Sequence, residues 1–280
     1  MEIRNVTIGA DPEMFIVDTS KDNKVISSVG LIPGEKGSPW AKKEWEPGFG
    51  IEIDNVLAEF NIPPVSDKDT FIHHMNFMKD EIRKFVKAIN KNYDILCTAS
   101  KMVDEDQLQS PEAKLFGCSV DYNVYTESEN PKPDGESTNL RSAGCHIHVG
   151  YFMPTVGVSL TLIKYLDMFL GVPSVLLDAD RKRRSLYGKA GCFRLCPYGF
   201  EYRTLSSKMY STDQYMEVIW EGVQLAIWAY NNGVSLASAE EVKQAINNSD
   251  TKMAKAIMKW SGTIADRIDH YNKLVYSLLK

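Results

Sequence analysis

Cysteine and histidine are both scarce in this chain, with five residues of each among 280. The cysteines are scattered and odd in number, which argues against a disulfide framework and for a reducing compartment. They are Cys97, Cys118, Cys145, Cys192 and Cys196. The first residues, Met1 to Asn5, lack the apolar segment of a signal peptide. We therefore expect a cytoplasmic protein.

A long hydrophobic run and an excess of positive charge are lacking too. The longest apolar segment, Val156 to Leu177, is interrupted by Lys164, Asp167 and Pro173, so no membrane partner is expected. The net charge is −5, whereas proteins that bind duplex nucleic acid are usually basic. A nucleic-acid partner is therefore not expected either.

Several well-known catalytic motifs are also absent. The sequence contains no HExxH, no GxxxxGK[ST], no GxGxxG and no GxSxG. Zincin, P-loop, Rossmann and α/β-hydrolase interpretations therefore lack their anchor residues.

The composition is that of a globular protein, with 44% hydrophobic and 25% charged residues. With no internal repeat and no clear linker, we predict one α+β domain over residues 1–280. Its sheet core is predicted at about 5–207 and a helical region at about 212–280, so the last third of the chain is helical.

The predicted elements follow from periodicity and from proline and glycine. Strands are predicted at Asn5–Val17, interrupted at Asp11-Pro12, and at Ile51–Pro63, where Pro63-Pro64 would end the ladder. Apolar residues at intervals of three and four predict a helix capped by Ser66 or Asp67. A further helical region is predicted at Val158–Leu177, and a segment of loop plus strand at Arg181–Ser207. An ordered loop at Gly30–Gly50 is a candidate lid.

Two histidines, His146 and His148, lie between glycines in a segment with strand character. Residues i and i+2 of a strand share one face, so both imidazoles are expected to point the same way. Such a pair can bind a metal, a phosphate or a carboxylate.

Carboxylates alternate similarly on two earlier segments. Asp11 and Glu13 share one side of the first strand, a pattern that fits a solvated edge as well as a metal site. Glu59 lies between Ala58 and Phe60, and an unpaired carboxylate in apolar surroundings is costly without a cation or hydrogen bonds. We therefore interpret Glu59 as a functional residue.

The segment Arg181–Arg194 is rich in arginine and lysine and contains Gly188 and Gly191. Arginine side chains match phosphate or carboxylate oxygens, and glycines permit close approach of the backbone to a ligand. The segment is therefore interpreted as an anion cradle, although a solvated basic loop has the same composition.

Glu201 and Arg203 are again two residues apart on one strand, where they can bind a metal and a phosphate or simply pair across strands. Oxygen ligands from Glu13, Glu59 and Glu201, with one imidazole, suit Mg²⁺ or Mn²⁺. Cationic side chains beside such ions suit a triphosphate. A zinc site of His146 and His148 with Cys192-x3-Cys196 is the competing interpretation, although the cysteine spacing is unusual.

Four motifs in this order resemble the phage-type carboxylate–amine (COOH–NH2) ligases, which are relatives of glutamate–cysteine ligase and glutamine synthetase. The motifs are Gly9-Ala10-Asp11-Pro12-Glu13-Met14-Phe15, Asp54 to Pro63, Gly144 to Gly150, and Tyr187-Gly188-Lys189-Ala190-Gly191 through Glu201-Tyr202-Arg203. The helical tail adds no diagnostic motif.

The resemblance implies an antiparallel sheet that forms a funnel around two or three divalent ions and ATP. It also implies a reaction in which a carboxylate attacks the γ-phosphate of ATP and an amine then displaces phosphate from the acyl phosphate. The expected partners are amino acids or peptides as small-molecule substrates, in the host cytoplasm if a phage encodes the protein. A homo-oligomer is compatible with the sequence.

The resemblance also implies roles for individual residues. Relatives often have Glu-x-Glu on the first strand, whereas Pro12 here can re-aim Asp11, which makes Asp11 the weaker metal ligand. The expected metal ligands are Glu13, Glu59, His148 and Glu201. The expected catalytic residues are Asp54 (orienting the amine), Arg203 and Arg184, and the expected substrate or ATP ligands are His146, Arg194, Lys189 and Tyr187.

Two other functions stay open at this point. One is a phosphotransferase on the same scaffold that forms no amide, and the other is a nucleotide-binding protein without turnover. The first predicts a stable phosphorylated product, and the second predicts ATP binding without release of ADP.

Overall fold

The computed structural model of the chain describes residues 2–114, 121–131, 138–178 and 180–279. Cys118 lies outside these residues. All structural statements below refer to the described part of the chain.

The fold is a mixed α/β arrangement built on a large antiparallel sheet. The sheet has ten strands, and its main path runs in the order β3-β4-β1-β10-β12-β11-β7-β8, while β2 and β5 pair with the far half of β1. A separate two-stranded sheet joins β6 to β9. The strands are β1 Thr7–Asp18, β2 Lys24–Ile26, β3 Gly50–Asp54, β4 Leu57–Val65, β5 Tyr93–Leu96, β6 Ser100–Met102, β7 Tyr122–Asn123, β8 Ser128–Glu129, β9 Leu140–Ser142, β10 Cys145–Gly150, β11 Cys192–Cys196 and β12 Gly199–Tyr202.

Helices cover one face of the sheet and form the C-terminal third, as the sequence predicted. The long helix α1 is capped by Asp67, whose side chain accepts a hydrogen bond from the Thr70 backbone N–H. The helices are α1 Lys68–Ile89, α2 Pro111–Lys114, α3 Val156–Leu166, α4 Val172–Leu177, α5 Arg181–Leu186, α6 Asp213–Asn231, α7 Ala239–Asn247, α8 Thr251–Gly262 and α9 Asp266–Ser277.

Alternation along the strands separates an apolar face from a polar one. On β10, Cys145, Ile147 and Val149 belong to the main core under the helices, whereas His146 and His148 project from the opposite face. The strands β1, β3, β4 and β12 alternate in the same way. The sheet therefore collects its ionisable residues on the face away from the main core.

The first strand is continuous, which corrects the predicted interruption at Asp11-Pro12. Pro12 lies within β1 opposite Cys145, and Glu13 resumes the ladder by donating its backbone N–H to Gly144 O at 3.0 Å. Proline removes one donor from the ladder without bending the chain out of the sheet.

The predicted end of the second strand at Pro63-Pro64 is also wrong. The region forms a hairpin of β3 and β4, and β4 continues through both prolines to Val65. The register of β4 against β1 shifts between the pairs Ile8–Val65 and Ala10–Ile62, so the prolines lie where ladder hydrogen bonds are missing.

The segment 181–207 contains a helix that was predicted as loop. The side chain of Asp180 accepts hydrogen bonds from the backbone N–H groups of Lys182 and Arg183, which starts α5. The strands β11 and β12 follow it.

One helical stretch, Val156–Leu177, is long and apolar enough by length and composition to cross a membrane, although the sequence predicted no such span. It consists of α3, a π-helical turn at Asp167–Gly171, and α4. The most apolar window of this stretch is 78% buried inside the protein, as in the core helix of a soluble protein.

Candidate functional site

The antiparallel register places ionisable residues of neighbouring strands side by side. Asp11 lies opposite His146, and His148 lies opposite Glu201. Glu59 is the cross-strand neighbour of both Glu13 and Glu52. The sheet thus assembles residues that are far apart in the chain.

The histidine cluster consists of Asp11, His148 and Glu201, which offer ligand atoms within 4.8 Å of one another. His148 Nε2 lies 3.3 Å from Asp11 Oδ1. On the other side of the ring, His148 Nδ1 lies 2.6 Å from the hydroxyl of Tyr198. This second contact fixes the orientation of the imidazole, as the outer hydrogen bond of a metal-binding histidine does.

The acidic triad consists of Glu13, Asp54 and Glu59, which also lie within 4.8 Å of one another and are buried. The ammonium group of Lys36 lies among them, 2.7 Å from Asp54 Oδ2 and 2.6 Å from Glu59 Oε2. The second oxygen of Glu13 accepts a hydrogen bond from the Gly144 backbone N–H at 2.6 Å.

Burial and neighbouring carboxylates both raise the pKa values of Glu13 and Glu59 in the acidic triad, although Lys36 lies among them. Burial, followed by the charge of Asp11, holds the pKa of Glu59 well above its usual range. Burial and the charge of Asp54 raise the pKa of Glu13. Burial lowers the pKa of Lys36, but Asp54 and Glu59 outweigh this effect and raise it. A further cation would therefore stabilise the ionised carboxylates.

Asp11 differs from the triad because imidazoles surround it. Burial raises its pKa, but His148 and His146 outweigh this effect and hold the pKa well below its usual value. Burial lowers the pKa of His148, but the charge of Asp11 and its hydrogen bond outweigh this effect, so the pKa is raised. His146 lies between the two groups, with Nδ1 3.3 Å from Asp11 and Nε2 4.0 Å from Glu13.

Several buried atoms of the site lack a hydrogen-bond partner within the described residues. They are Asp11 Oδ1, Glu13 Oε1, Asp54 Oδ1, His146 Nδ1 and His148 Nε2. Buried polar atoms are rarely left without a partner, and these are carboxylate oxygens and imidazole nitrogens. This donor set fits divalent ions such as Mg²⁺ or Mn²⁺.

Arginines lie beside the histidine cluster. Arg203 pairs with both Glu201 and Asp121, and Arg194 Nε donates to Glu201 Oε2 at 2.6 Å. A pocket next to these residues is lined by both acidic and basic side chains. They include Glu13, Asp54, Asp121, His146, Arg183, Tyr187 and Arg203.

The predicted anion cradle is rearranged in the structure. Arg184 lies beside Ser174 of α4, with Nη2 3.4 Å from Ser174 Oγ, whereas its neighbour Arg183 lines the pocket. Arg183 donates to three backbone carbonyls, those of Ala143, Thr204 and Leu205. Arg183 therefore holds the ends of the site strands together.

The glycines of this segment accommodate protein groups instead of a ligand. Gly188 has φ +69°, and a Cβ atom there would overlap with Arg183 Nη1. At Gly191, with φ +73°, a Cβ atom would lie 2.8 Å from Tyr125. The side chain of Lys189 is half-buried, and its carbonyl accepts a hydrogen bond from Thr204 Oγ1.

The strand geometry argues against the zinc interpretation. Cys192 and Cys196 begin and end β11, so their Cα atoms are about 13 Å apart at the usual rise per residue. One ion cannot bind both. Among the described residues, the clusters with metal-ligand spacing contain only carboxylates and a histidine.

Three residues of the site were missed by the sequence analysis. Lys36 and Tyr198 occupy turns far in sequence from their partners, and Asp121 pairs with Arg203 across 82 residues. The local signals were the glycine-rich turn around Lys36 and the sequence Pro197-Tyr198-Gly199, which predict turns but not the partners of these side chains.

The large antiparallel sheet, with helices on one face and buried ionisable clusters on the other, defines the fold class as mixed α/β. Within this class, the chain belongs to the phage phiEco32-like COOH-NH2 ligase type 2 family, whose sequence model matches residues 135–279. The match contains His146, His148, Glu201 and Arg203. It also includes the helical tail, which had offered no diagnostic motif.

A solved structure with a similar fold is that of a bifunctional glutathione synthetase from Pasteurella multocida. The TM-score is 0.52 at 11% sequence identity, and the similarity covers 98% of this chain and 46% of that chain. This chain thus spans less than half of that protein, and the likeness concerns the fold alone. No curated protein sequence matches the chain.

Proposed function

We propose that the protein is an ATP-dependent ligase that joins a carboxylate to an amine through an acyl phosphate. The observation that carries the proposal is the pair of adjacent ligand clusters beside arginines, in a chain of the COOH-NH2 ligase family. The substrates would be amino acids, peptides or similar small molecules in the cytoplasm. The sheet would act as the wall of a funnel of the glutamine synthetase type.

Two divalent ions, Mg²⁺ or Mn²⁺, fit the donor atoms of the site. Asp11, His148 and Glu201 would hold one, and Glu13, Asp54 and Glu59 the other. When bound, such ions neutralise the charge on phosphate oxygens and so favour phosphoryl transfer. Asp54, proposed from the resemblance to orient the amine, takes part here in the acidic triad.

The arginines would act on the transferred phosphoryl group and on the substrate carboxylate. Arg203 is oriented by Asp121 and lines the pocket, and Arg194 is half-exposed beside Glu201. His146 lies between the clusters, where it can contact ATP or the substrate. Arg184 lies away from this arrangement. Arg183 lines the pocket in its place, and we assign Arg183 a positioning role.

The first test measures ADP release from ATP and Mg²⁺ with pooled amino acids and short peptides. Wild type is compared with Glu201→Gln, which removes one ligand charge and retains the shape of the side chain. We expect turnover to require an amine and to fall roughly 100-fold or more in the variant. The matched control is Glu129→Gln, an exposed carboxylate on β8 of the same sheet.

The outcomes separate the ligase from its alternatives. A stable phosphorylated product without an amine requirement would establish a phosphotransferase instead. Thermal stabilisation by ATP without ADP release across all pools would favour a binding protein. Full activity in Glu201→Gln would remove the histidine cluster from the proposed site.

A further inference from the structure

The loop between β2 and β3 places a lysine where a metal ion would bind. Lys36 Nζ lies at 2.7 Å from Asp54 and 2.6 Å from Glu59, and at 3.7 Å from Glu52. Both Asp54 and Glu59 are members of the acidic triad. An ion bridging the same two oxygens would occupy nearly the same position as the ammonium group.

We propose that Lys36 is the resident cation of the acidic triad and that a divalent ion binds there only when Lys36 leaves. The proposal rests on the proposed function, because it concerns the second of the two ion sites. It makes Lys36 the residue that determines how many divalent ions the site holds.

The backbone presents Lys36 to the triad at the tip of a tight turn. Ser38 N donates to Glu35 O at 2.8 Å, and Gly37 has φ +77° at the third position of the turn. This is the pattern of a type II β-turn, with Lys36 at its second position. Gly37 N also donates to Glu52 Oε2 at 3.0 Å.

The base of the loop is anchored separately from its tip. Trp40 and Ile51 exchange two backbone hydrogen bonds of 2.8 Å each. Gly34, with φ +88°, lies so close to β3 that a Cβ atom would be 3.1 Å from the Cα atom of Glu52. The tip can therefore move away while the base stays in place.

The triad has oxygen atoms that Lys36 does not contact and that a divalent ion in its place would bind. Glu13 and Asp54 are 4% and 1% exposed, yet one oxygen of each lacks a hydrogen-bond partner among the described residues. The lysine itself is 44% exposed along its side chain, so it can return to solvent. A divalent ion brings more charge to these oxygens than one ammonium group.

The test is the binding of Mn²⁺ to metal-free protein, measured from the electron paramagnetic resonance signal of free Mn²⁺. Wild type should bind one ion at the histidine cluster and a second at least about tenfold more weakly. Lys36→Met keeps most of the length of the side chain but removes its charge. In this variant the affinity of the second site for Mn²⁺ should rise by at least tenfold. Lys43→Met is the control, because Lys43 is an exposed lysine of the same loop.

A second readout uses wild type alone and so does not depend on the folding of a variant. Hydrogen exchange measured by mass spectrometry should rise at the Gly37 N–H, which donates to Glu52, when the second Mn²⁺ equivalent binds, while Trp40 and Ile51 at the base stay protected. Unchanged hydrogen exchange at Gly37, or equal second-site affinity in wild type and Lys36→Met, overturns the proposal.

Failure of the proposed function has a different signature. In that case neither wild type nor Lys36→Met binds Mn²⁺, or Glu201→Gln leaves the first site unaffected. If two Mn²⁺ ions bind with the same affinities in wild type and Lys36→Met, the proposed function is preserved and only the role of Lys36 is refuted.

Discussion

Individual side chains of the site were predictable where they share a strand face. The alternation at Glu13, His146, His148 and Glu201 was sufficient, because residues two apart in a strand project the same way and the sheet then brings the strands together. Lys36 and Tyr198 could not be found in this way. Each reaches its partner through a turn whose position depends on the assembled sheet.

Tyr198 offers a test at the scale of one hydroxyl group. Tyr198→Phe removes the hydrogen bond to His148 Nδ1 and keeps the aromatic ring, which is nearly parallel to the imidazole. We expect roughly 10- to 100-fold weaker Mn²⁺ binding at the histidine cluster, because the imidazole loses its orienting partner. Calorimetric titration measures the change.

Tyr122→Phe is the matched control, because that exposed hydroxyl contacts Glu129 on the same sheet at 3.3 Å. Equal Mn²⁺ affinities in Tyr198→Phe and wild type would show that His148 is oriented without Tyr198.

Asp167 predicts a pH dependence of stability. It is fully buried, and burial raises its pKa to about 7. The hydrogen bonds from Tyr202 and Tyr125 lower the pKa but do not offset the effect of burial. The unfolded chain loses this proton near pH 4, so the folded state is penalised progressively from about pH 4 to pH 7. Three pKa units correspond to about 4 kcal/mol at most.

Asp167→Asn should therefore gain stability relative to wild type as the pH rises from 4.5 to 8. Denaturant unfolding at several pH values measures the difference in the free energy of unfolding. The exposed Asp22→Asn serves as control. A difference between Asp167→Asn and wild type that is constant with pH would show that Asp167 is ionised throughout.

At the scale of elements, the helices were predicted better than the strands. The cap at Asp67 and the apolar spacing of α1 are local signals, so the sequence alone identified this helix. Strand ends depend on partners elsewhere in the chain. That is why Pro12 and Pro63-Pro64 were misinterpreted as breaks, although Pro12 keeps its place opposite Cys145 and a bulge accommodates Pro63-Pro64.

The turn after α5 can be tested with a pair of glycines. Gly188→Ala should destabilise the protein by about 3 kcal/mol or more, because the new methyl group meets Arg183 and lies 2.8 Å from the Thr204 carbonyl. Gly233 also has positive φ, +63°, but open space around it. Gly233→Ala should cost only about 1 to 2 kcal/mol.

Thermal unfolding compares the two variants directly. A smaller loss of stability in Gly188→Ala than in Gly233→Ala would mean that Arg183 moves aside without cost, which its three carbonyl contacts argue against.

At the scale of the whole molecule, the larger of two hydrophobic clusters extends from β1 to α9 and includes Ile8 and Val275. The side chain of Asn231 in α6 forms two hydrogen bonds with the backbone of Ile3, at 2.8 and 3.0 Å. The start of the chain is therefore tied to the C-terminal helices. The prediction of one domain over residues 1–280 remains open to experiment.

We expect thermal unfolding in a single transition, with coincident curves from far-UV and near-UV circular dichroism. Two separated transitions would show that the helical region unfolds independently of the sheet and that the chain contains two domains.

The central position of β1 has a consequence for synthesis of the protein. Gly9 pairs with His148, which the ribosome adds roughly 140 residues later, or about 10 s at usual elongation rates. During that interval the backbone N–H and C=O groups of β1 that pair with β10 have no partner from β10, and its apolar side chains lack their contacts with that strand. We therefore expect this edge of β1 in the nascent chain to be open to chaperones until β10 emerges, and slower translation to lengthen the exposure.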